Sequence, residues 1–261
     1  AQPFRQPQDT FTVITVRAAA DRGRSSTGWL HSAHSFSFGS YFDLRHQGHG
    51  NLLVLNDDTM APGQGFGSHG HRDMEIVSYV LSGALAHQDN LPQRSPADGS
   101  APGPTPPTGI LQPGDVQRMS AGWGVQHSEF NALQDQDTHF LQTWFKPLFT
   151  GIRPSYEQKH FPAADRRGRL VRLASRKGVD GSLSMNADAT LWAGLFDGDA
   201  ETATQALDPL RLAYVHVAQG SVQVNGVPLA AGDGALLEAE NQLTLQHGTG
   251  AEVLVFDLAR R

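Results

Sequence analysis

The sequence contains no cysteine, and this absence removes several kinds of site at once. The chain can form neither disulfides nor thiolate zinc sites, and it has no cysteine nucleophile. It also lacks an apolar run near the roughly 20 residues that a membrane-spanning helix needs, so we expect no membrane association. No basic segment followed by an apolar core stands near the N-terminus, and we therefore expect no signal peptide and a cytoplasmic location.

A strong charge of either sign is also missing, because the net charge is only −6 over 261 residues. Nothing in this balance favours a basic surface, so we expect no direct binding of nucleic acid. Hydrophobic residues make up 39% of the chain, which is enough to build a real core in one large or two ordinary domains.

No long amphipathic helix stands out, whereas 28 glycines and 15 prolines favour turns and short strands. Asn225-Gly226 between two valines is a strong hairpin signal. The pattern predicts an all-β fold. The main strand candidates cover residues 11–16, 51–56, 74–85, 141–145, 169–174, 189–196, 210–218, 221–224, 234–238 and 252–258.

Residues 91–108 hold six of the prolines together with Gly and Ser, and they show no apolar periodicity. We interpret them as an exposed, mobile insertion. Residues 147–165 are loop-like and carry three further prolines, so they indicate a passage between two units. We predict an N-terminal domain over 1–147 that contains the insertion, and a C-terminal domain over 148–261.

Two pairs of metal-ligating residue types share one spacing, His69 with His71 and His127 with Glu129. On a strand, residues i and i+2 lie on the same face. If the two strands are neighbours, three imidazoles and one carboxylate converge on one point. Such a set predicts a divalent-metal site with room for water or substrate.

A weak internal repeat matches Tyr79–Gly83 to Tyr214–Gly220 and Asp115 to Asp233. Aligned in this way, the second copy carries Ala206, Asp208, Leu245 and His247 where the first has its four candidate ligands. We therefore expect one metal per chain, in the N-terminal half.

At three places the motifs resemble the pirin family of bicupins: residues 62–75, with Gly-Ser-His-Gly-His-Arg-Asp-Met-Glu, residues 113–117, and residues 121–129, with Gly-Val-Gln-His-Ser-Glu. The resemblance is dense over about residues 22–160 and thin afterwards. It implies two cupin (jelly-roll) β-barrels face to face, with one metal in the N-terminal barrel. It also implies the ligands His69, His71, His127 and Glu129 and an activity of the quercetin 2,3-dioxygenase type. The insertion at 91–108 departs from the family, which usually has a short turn there.

The nitrogen and oxygen ligand set suits iron(II), nickel, copper, manganese or zinc, and iron(II) is the expected metal. In the predicted reaction the metal lowers the pKa of a flavonol 3-hydroxyl and Glu129 takes its proton as the catalytic base. Dioxygen then opens the heterocycle, and carbon monoxide leaves. The expected partners are thus an aromatic or enol small molecule and O₂, with a protein partner as a further option.

Other residues near the motifs have simpler interpretations. Glu75 would share the histidine face of an unbroken strand, where it could orient a ring nitrogen or act as a ligand. Phe66 is the best candidate for lining the cavity, whereas we expect Trp29, Phe36 and Phe38 to lie in the core. The upstream histidines are more typical of structural residues than of a second metal site: His31, His34, His46 and His49.

Two functions compete with the dioxygenase. One is a non-catalytic iron-binding redox sensor that acts through protein partners, and the other is a different cupin reaction such as isomerisation. The same ligand set serves many reactions, so the sequence leaves this choice open.

Overall fold

The computed structural model describes residues 13–91 and 108–260, and nearly all of the proline-rich insertion lies outside these ranges. The described part is almost entirely β, which confirms the predicted fold class. It also contains one short helix, α1 (Ala163–Arg166), and two 3₁₀ turns, Ala19–Asp21 and Val179–Gly181. The strands are β1 (Val13–Arg17), β2 (Gly23–Ser26), β3 (Leu30–His34), β4 (Leu52–Met60), β5 (Gly65–His71), β6 (Glu75–Ser82), β7 (Leu85–Asp89), β8 (Thr108–Leu111), β9 (Asp115–Ser120), β10 (Val125–Asn131), β11 (Thr138–Phe145), β12 (Ser155–His160), β13 (Val171–Ser175), β14 (Leu183–Ser184), β15 (Ala189–Gly198), β16 (Ala203–Ala206), β17 (Leu212–Val224), β18 (Val227–Ala230), β19 (Gly234–Glu238) and β20 (Gln242–Leu258).

These strands form three sheets, which pack as layers. A seven-stranded sheet has the order β12-β9-β6-β11-β4-β3-β2, and a four-stranded sheet has the order β5-β10-β7-β8. A nine-stranded sheet follows β1-β19-β17-β20-β15-β13-β14, with β16 and β18 attached at β20 and β17.

Both faces of the seven-stranded sheet are buried. Successive side chains of its strands point to opposite faces, and each face packs against another sheet. One face carries Tyr79, Leu141 and Phe145, which pack in the largest core cluster with Tyr214 and Phe256 of the nine-stranded sheet. The other face packs toward the four-stranded sheet through two smaller apolar clusters. The polar residues between those two clusters are therefore enclosed between the seven-stranded and the four-stranded sheet.

Each half of the sequence contributes one strand to a sheet that is formed mainly by the other half. β1 pairs with β19, and β12 pairs with β9. Residues 147–165 were expected to be a loop, but 155–160 form β12 because Tyr156 and its neighbours complete the edge at β9. The predicted domain boundary between 147 and 148 remains a prediction.

Asn225 and Gly226 form the predicted hairpin between β17 and β18. Both residues have positive φ, 46° and 80°, which the two-residue turn requires and which Asn and Gly tolerate best. No helix in the described ranges is long and apolar enough to cross a membrane.

A buried ion pair of the C-terminal half contacts Tyr79 of the N-terminal half. Arg166, only 4% exposed, contacts Glu252 across 2.9 Å, and Tyr79 hydrogen-bonds both side chains. Removal of the carboxylate would leave the guanidinium charge buried without its counter-ion, which is costly.

We predict that Glu252→Ala lowers the free energy of unfolding by roughly 3 kcal/mol. The matched control is Glu238→Ala, which removes the half-exposed pair between Glu238 and Arg260 and should cost less than about 1 kcal/mol. Urea denaturation measures both values. Equal losses in the two variants would contradict the importance of the buried pair.

Candidate metal centre

The first structural basis of the site is the antiparallel pairing of β5 with β10. His127 lies directly across from His69, and Val125 lies across from His71. Because alternate residues share a face, His127 and Glu129 both point inward from β10, where each is at most 2% exposed. The strands approach closely at Gly65, where a Cβ atom would overlap the Glu129 carbonyl oxygen. Glycine is thus required at this position.

The three predicted histidines converge. One nitrogen from each of His69, His71 and His127 lies within 4.8 Å of the others. Their ring centroids are 4.4 Å (His69 to His127), 4.8 Å (His71 to His127) and 4.9 Å (His69 to His71) apart. This spacing suits three ligands around one ion.

The Glu129 carboxylate lies close to one member of this group, His127. A register shift between His127 and Glu129 places Glu129 across from Phe66. One Glu129 oxygen lies within 4.8 Å of donor atoms on His127 and His87. The structure thus brings the carboxylate to His127, whereas the compact group with His69 and His71 contains imidazoles alone.

The Glu129 carboxylate is held by three strands of the seven-stranded sheet. Gln142 Nε2 donates to Oε2 across 2.8 Å. Ser78 Oγ and Gln117 Nε2 lie 3.4 and 3.5 Å from Oε1. These contacts fix the direction of the carboxylate without occupying all of its lone pairs.

His87 is a site residue that the sequence reasoning missed. It lies on β7 directly across from Glu129, and its ring stacks on Tyr156 with centroids 4.7 Å apart. The available signal was the His-x-Asp spacing of His87 and Asp89, which repeats the i, i+2 pattern of the recognised pairs.

A hydrogen-bond series runs from Asp89 through His87 to His127. His87 Nε2 lies 2.9 Å from Asp89 Oδ2, so this nitrogen carries the proton. His87 Nδ1 is then an acceptor, and it faces His127 Nδ1 at 3.5 Å and Gln117 Nε2 at 3.2 Å. A proton on His127 Nδ1 would pair with this acceptor and leave the Nε2 lone pair available to a ligand.

His127 Nε2 is buried and has no hydrogen-bond partner in the described part of the chain. An unpaired polar atom at this depth is unfavourable unless another group satisfies it. His69 is oriented in the same way, because its Nδ1 donates to the Gly67 carbonyl across 2.8 Å and leaves Nε2 free. Both lone pairs are available to a divalent cation, so the residues present fit a metal ion.

The electrostatics of the site keep His71 and His127 neutral. Burial lowers the pKa of His71 to about 4, and the neighbouring His69 adds to this effect. Burial lowers the pKa of His127 to about 2, with further contributions from His69, His87 and His71. Neutral imidazole is the form that binds metals.

The expectation that Glu75 belongs to the histidine face is wrong. Asp73 has φ 48°, so the chain leaves β5 and enters β6 in a different sheet, and the alternation does not continue across the turn. Glu75 is buried elsewhere. It accepts hydrogen bonds from Ser120 Oγ and from the backbone nitrogen of Asn186 at 3.0 Å, which links the two halves of the chain.

A cavity of about 210 Å³ opens beside His69, His71 and Glu129. Phe66 lines it as predicted, and its ring lies 5.3 Å from Trp29. Phe36 is buried in the core, but Phe38 lines the cavity and contacts Trp144 edge-on at 5.4 Å, contrary to its assignment to the core. Trp144, which the sequence reasoning did not select, packs against His71 at 5.0 Å.

Two of the upstream histidines have partners away from the metal-compatible clusters. His31 Nδ1 lies 3.0 Å from Ser26 Oγ, and His49 Nε2 lies 3.1 Å from the Ala213 carbonyl. His34 belongs to the cavity wall. Both metal-compatible clusters found in the described ranges lie on β5, β7 and β10. The expectation of a single metal ion per chain, bound in the N-terminal half, remains a prediction.

Comparison with known proteins gives consistent matches. Residues 15–101 and 105–145 match the sequence profile described as Pirin, and residues 172–258 match the one described as Quercetinase C-terminal cupin domain. The Escherichia coli (strain K12) quercetin 2,3-dioxygenase is 36% identical over 94% of this chain and 99% of its own. A pirin-like protein of Caulobacter vibrioides is 42% identical over 91% and 96% of the two chains.

A solved structure, the bacterial pirin YhhW of Escherichia coli in complex with nickel(II), is 35% identical. It superposes with a TM-score of 0.84 over 95% of this chain and 100% of its own. These matches and the donor cluster support one divalent metal in a chain with two cupin-type domains.

We predict that Asp89→Asn weakens metal binding roughly 10- to 100-fold, because the amide no longer fixes the His87 tautomer that orients His127. His127→Ala should abolish stoichiometric binding, and the exposed His247→Ala is the control that should bind like wild type. Competition with a chelator measures the affinities. An unchanged affinity in Asp89→Asn would show that the series from Asp89 does not position the ligand.

A pH prediction follows from the low pKa of His127. The unfolded chain takes up a proton near pH 6.5, but folded His127 stays neutral, so the metal-free protein loses stability as pH falls from 6.5 toward 4. The contribution is at most about 1.4 kcal/mol per pH unit. His127→Asn should reduce this slope, measured by urea denaturation without metal, and an unchanged slope would contradict the burial argument.

Proposed function

Because the chain belongs to the pirin family, we propose that it is a metal-dependent dioxygenase that cleaves the heterocyclic ring of a flavonol such as quercetin. The observation that carries the proposal is the convergence of three imidazoles, two of which, His69 and His71, line a cavity with aromatic walls. A purely structural metal site is usually closed by protein ligands, whereas this group has open space beside it.

We propose His69, His71, His127 and Glu129 as the metal ligands. Iron(II) is the expected metal, and nickel, copper, manganese and zinc are the alternatives. When bound, a redox-active ion would lower the pKa of a hydroxyl group next to it and assist electron transfer to O₂.

Glu129 is proposed to take the proton of the substrate hydroxyl. Gln142 orients the carboxylate from one side, and the side chain is almost fully buried, so a proton placed on it is shielded from bulk water. The bond from Gln142 persists while either carboxylate oxygen accepts the proton. Loosening of Glu129 from the metal would therefore not leave the carboxylate without a partner.

The apolar walls supply the rest of the binding energy in this proposal. Phe38, Phe66 and Trp144 surround the space next to the histidines. Edge-on contacts hold these rings in fixed orientations, which favours a planar aromatic substrate over a flexible one.

The test is incubation of separately iron-, nickel-, copper- and manganese-loaded protein with quercetin, with and without oxygen. We expect oxygen-dependent loss of the flavonol absorbance and release of carbon monoxide with at least one metal. Glu129→Gln should lower kcat by about 10²-fold or more, since it removes the proton acceptor. No turnover with any metal would reject the dioxygenase and leave the sensor hypothesis.

The control for this experiment is Glu75→Gln. Glu75 is a buried glutamate of the same domain whose contacts are with Ser120 and Asn186 rather than with the histidines. Metal content and kcat should stay near wild type in this variant. A loss in Glu75→Gln equal to that in Glu129→Gln would remove the special role of Glu129.

A further inference from the structure

The wall of the cavity that β3 and β4 supply is polar, although its side chains are buried. Ser32, His34, Asn56 and Asp58 line the cavity and are between 3% and 6% exposed. None of them belongs to the metal-compatible clusters. The assigned chemistry of the metal centre therefore leaves this wall without a role.

The wall is held rigid by its own hydrogen bonds. Ser32 Oγ donates to Asp58 Oδ1, and His34 Nδ1 lies 2.8 Å from Asn56 Oδ1. The other ring nitrogen of His34 lies 3.0 Å from Ser25 Oγ. β3 and β4 pair in the register Ser32 with Asp58 and His34 with Asn56, which fixes the side chains as cross-strand neighbours.

Asp58 has capacity for another donor. Ser32 supplies its only hydrogen bond from the described residues, yet a carboxylate can accept several. Within residues 13–91 and 108–260 no Lys or Arg pairs with Asp58, in contrast to the preceding residue, Asp57, which contacts Arg22 and His139 on the other face of β4. A buried carboxyl with few donors, facing a cavity, is suited to receive a hydrogen bond from a ligand.

We propose that Asp58, backed by Ser32, is a second binding point of the cavity and accepts a hydrogen bond from a substrate hydroxyl remote from the metal. The substrate class is then a planar aromatic enol with at least one further phenolic hydroxyl. This inference rests on the proposed function, because it assumes that the enol end of the same molecule occupies the metal centre.

The surroundings of Asp58 favour its protonated form when no ligand is bound. Burial raises its pKa to about 7, against the hydrogen bond from Ser32, and the negative charges of Asp57 and Glu129 add to the shift while His139 opposes it. Each bond from a neutral hydroxyl stabilises the ionised form without bringing a positive charge that would compete with the metal centre.

The experiment measures anaerobic binding to the zinc-loaded protein, so that no turnover interferes. Quercetin is compared with 3-hydroxyflavone, which keeps the chelating hydroxyl and carbonyl pair but has no other hydroxyl group. Tryptophan fluorescence gives Kd, and elemental analysis gives the metal content. The variants are Asp58→Asn, Asp58→Ala as a second test of the same position, and Asp57→Asn as the matched control on the same strand.

Wild type should bind quercetin roughly tenfold or more tightly than 3-hydroxyflavone, because 3-hydroxyflavone has no further hydroxyl that could donate a hydrogen bond to Asp58. Both Asp58 variants should reduce this ratio to about threefold or less at unchanged zinc content, while Asp57→Asn keeps the wild-type ratio.

The outcomes separate this inference from the proposed function. A wild-type ratio that persists in both Asp58 variants, in protein that still cleaves quercetin, overturns the role of Asp58 alone. Equal affinity of wild type for the two ligands also overturns it. Failure of wild type to bind or cleave either ligand contradicts both proposals.

Discussion

The antiparallel pairing of β5 and β10 is the constraint on which the rest of the site depends. It places His69 directly across from His127 and brings His71 to the same face. A shift of this pairing by one residue would turn every one of these side chains to the opposite face of the sheet. The close contact of Gly65 with the Glu129 backbone allows the two strands to keep this register.

The neighbouring sheets supply the side chains that orient Glu129 and that bury the site. The seven-stranded sheet supplies Ser78, Gln117 and Gln142 to Glu129, while its other face is covered by the nine-stranded sheet. Burial keeps His71 and His127 neutral, and a hydrogen-bond series runs from Asp89 through His87 to His127. The result is a candidate metal centre in a chain of the pirin family, in which the candidate ligands, their supporting side chains and the cavity come from different strands.

The sequence was sufficient for the fold class, the family and the convergence of the three histidines, because period-two spacing and the motifs are local signals. It failed for Glu75, since the positive φ of Asp73 interrupts the alternation and no pattern announces that turn. It missed His87, whose role depends on β7 being the other neighbour of β10. Phe38 was also assigned to the core, because aromatic side chains occur both in cavity walls and in hydrophobic cores. Nonlocal pairing decides each of these cases.

X-ray absorption spectroscopy of the iron- or nickel-loaded protein is the most direct test that three imidazoles bind one metal ion. We expect one class of metal, with three imidazole nitrogens near 2.0–2.2 Å and oxygen ligands completing the shell, to within the ~0.2 Å tolerance of such distances. A spectrum with one imidazole or none, at full metal occupancy, would contradict it.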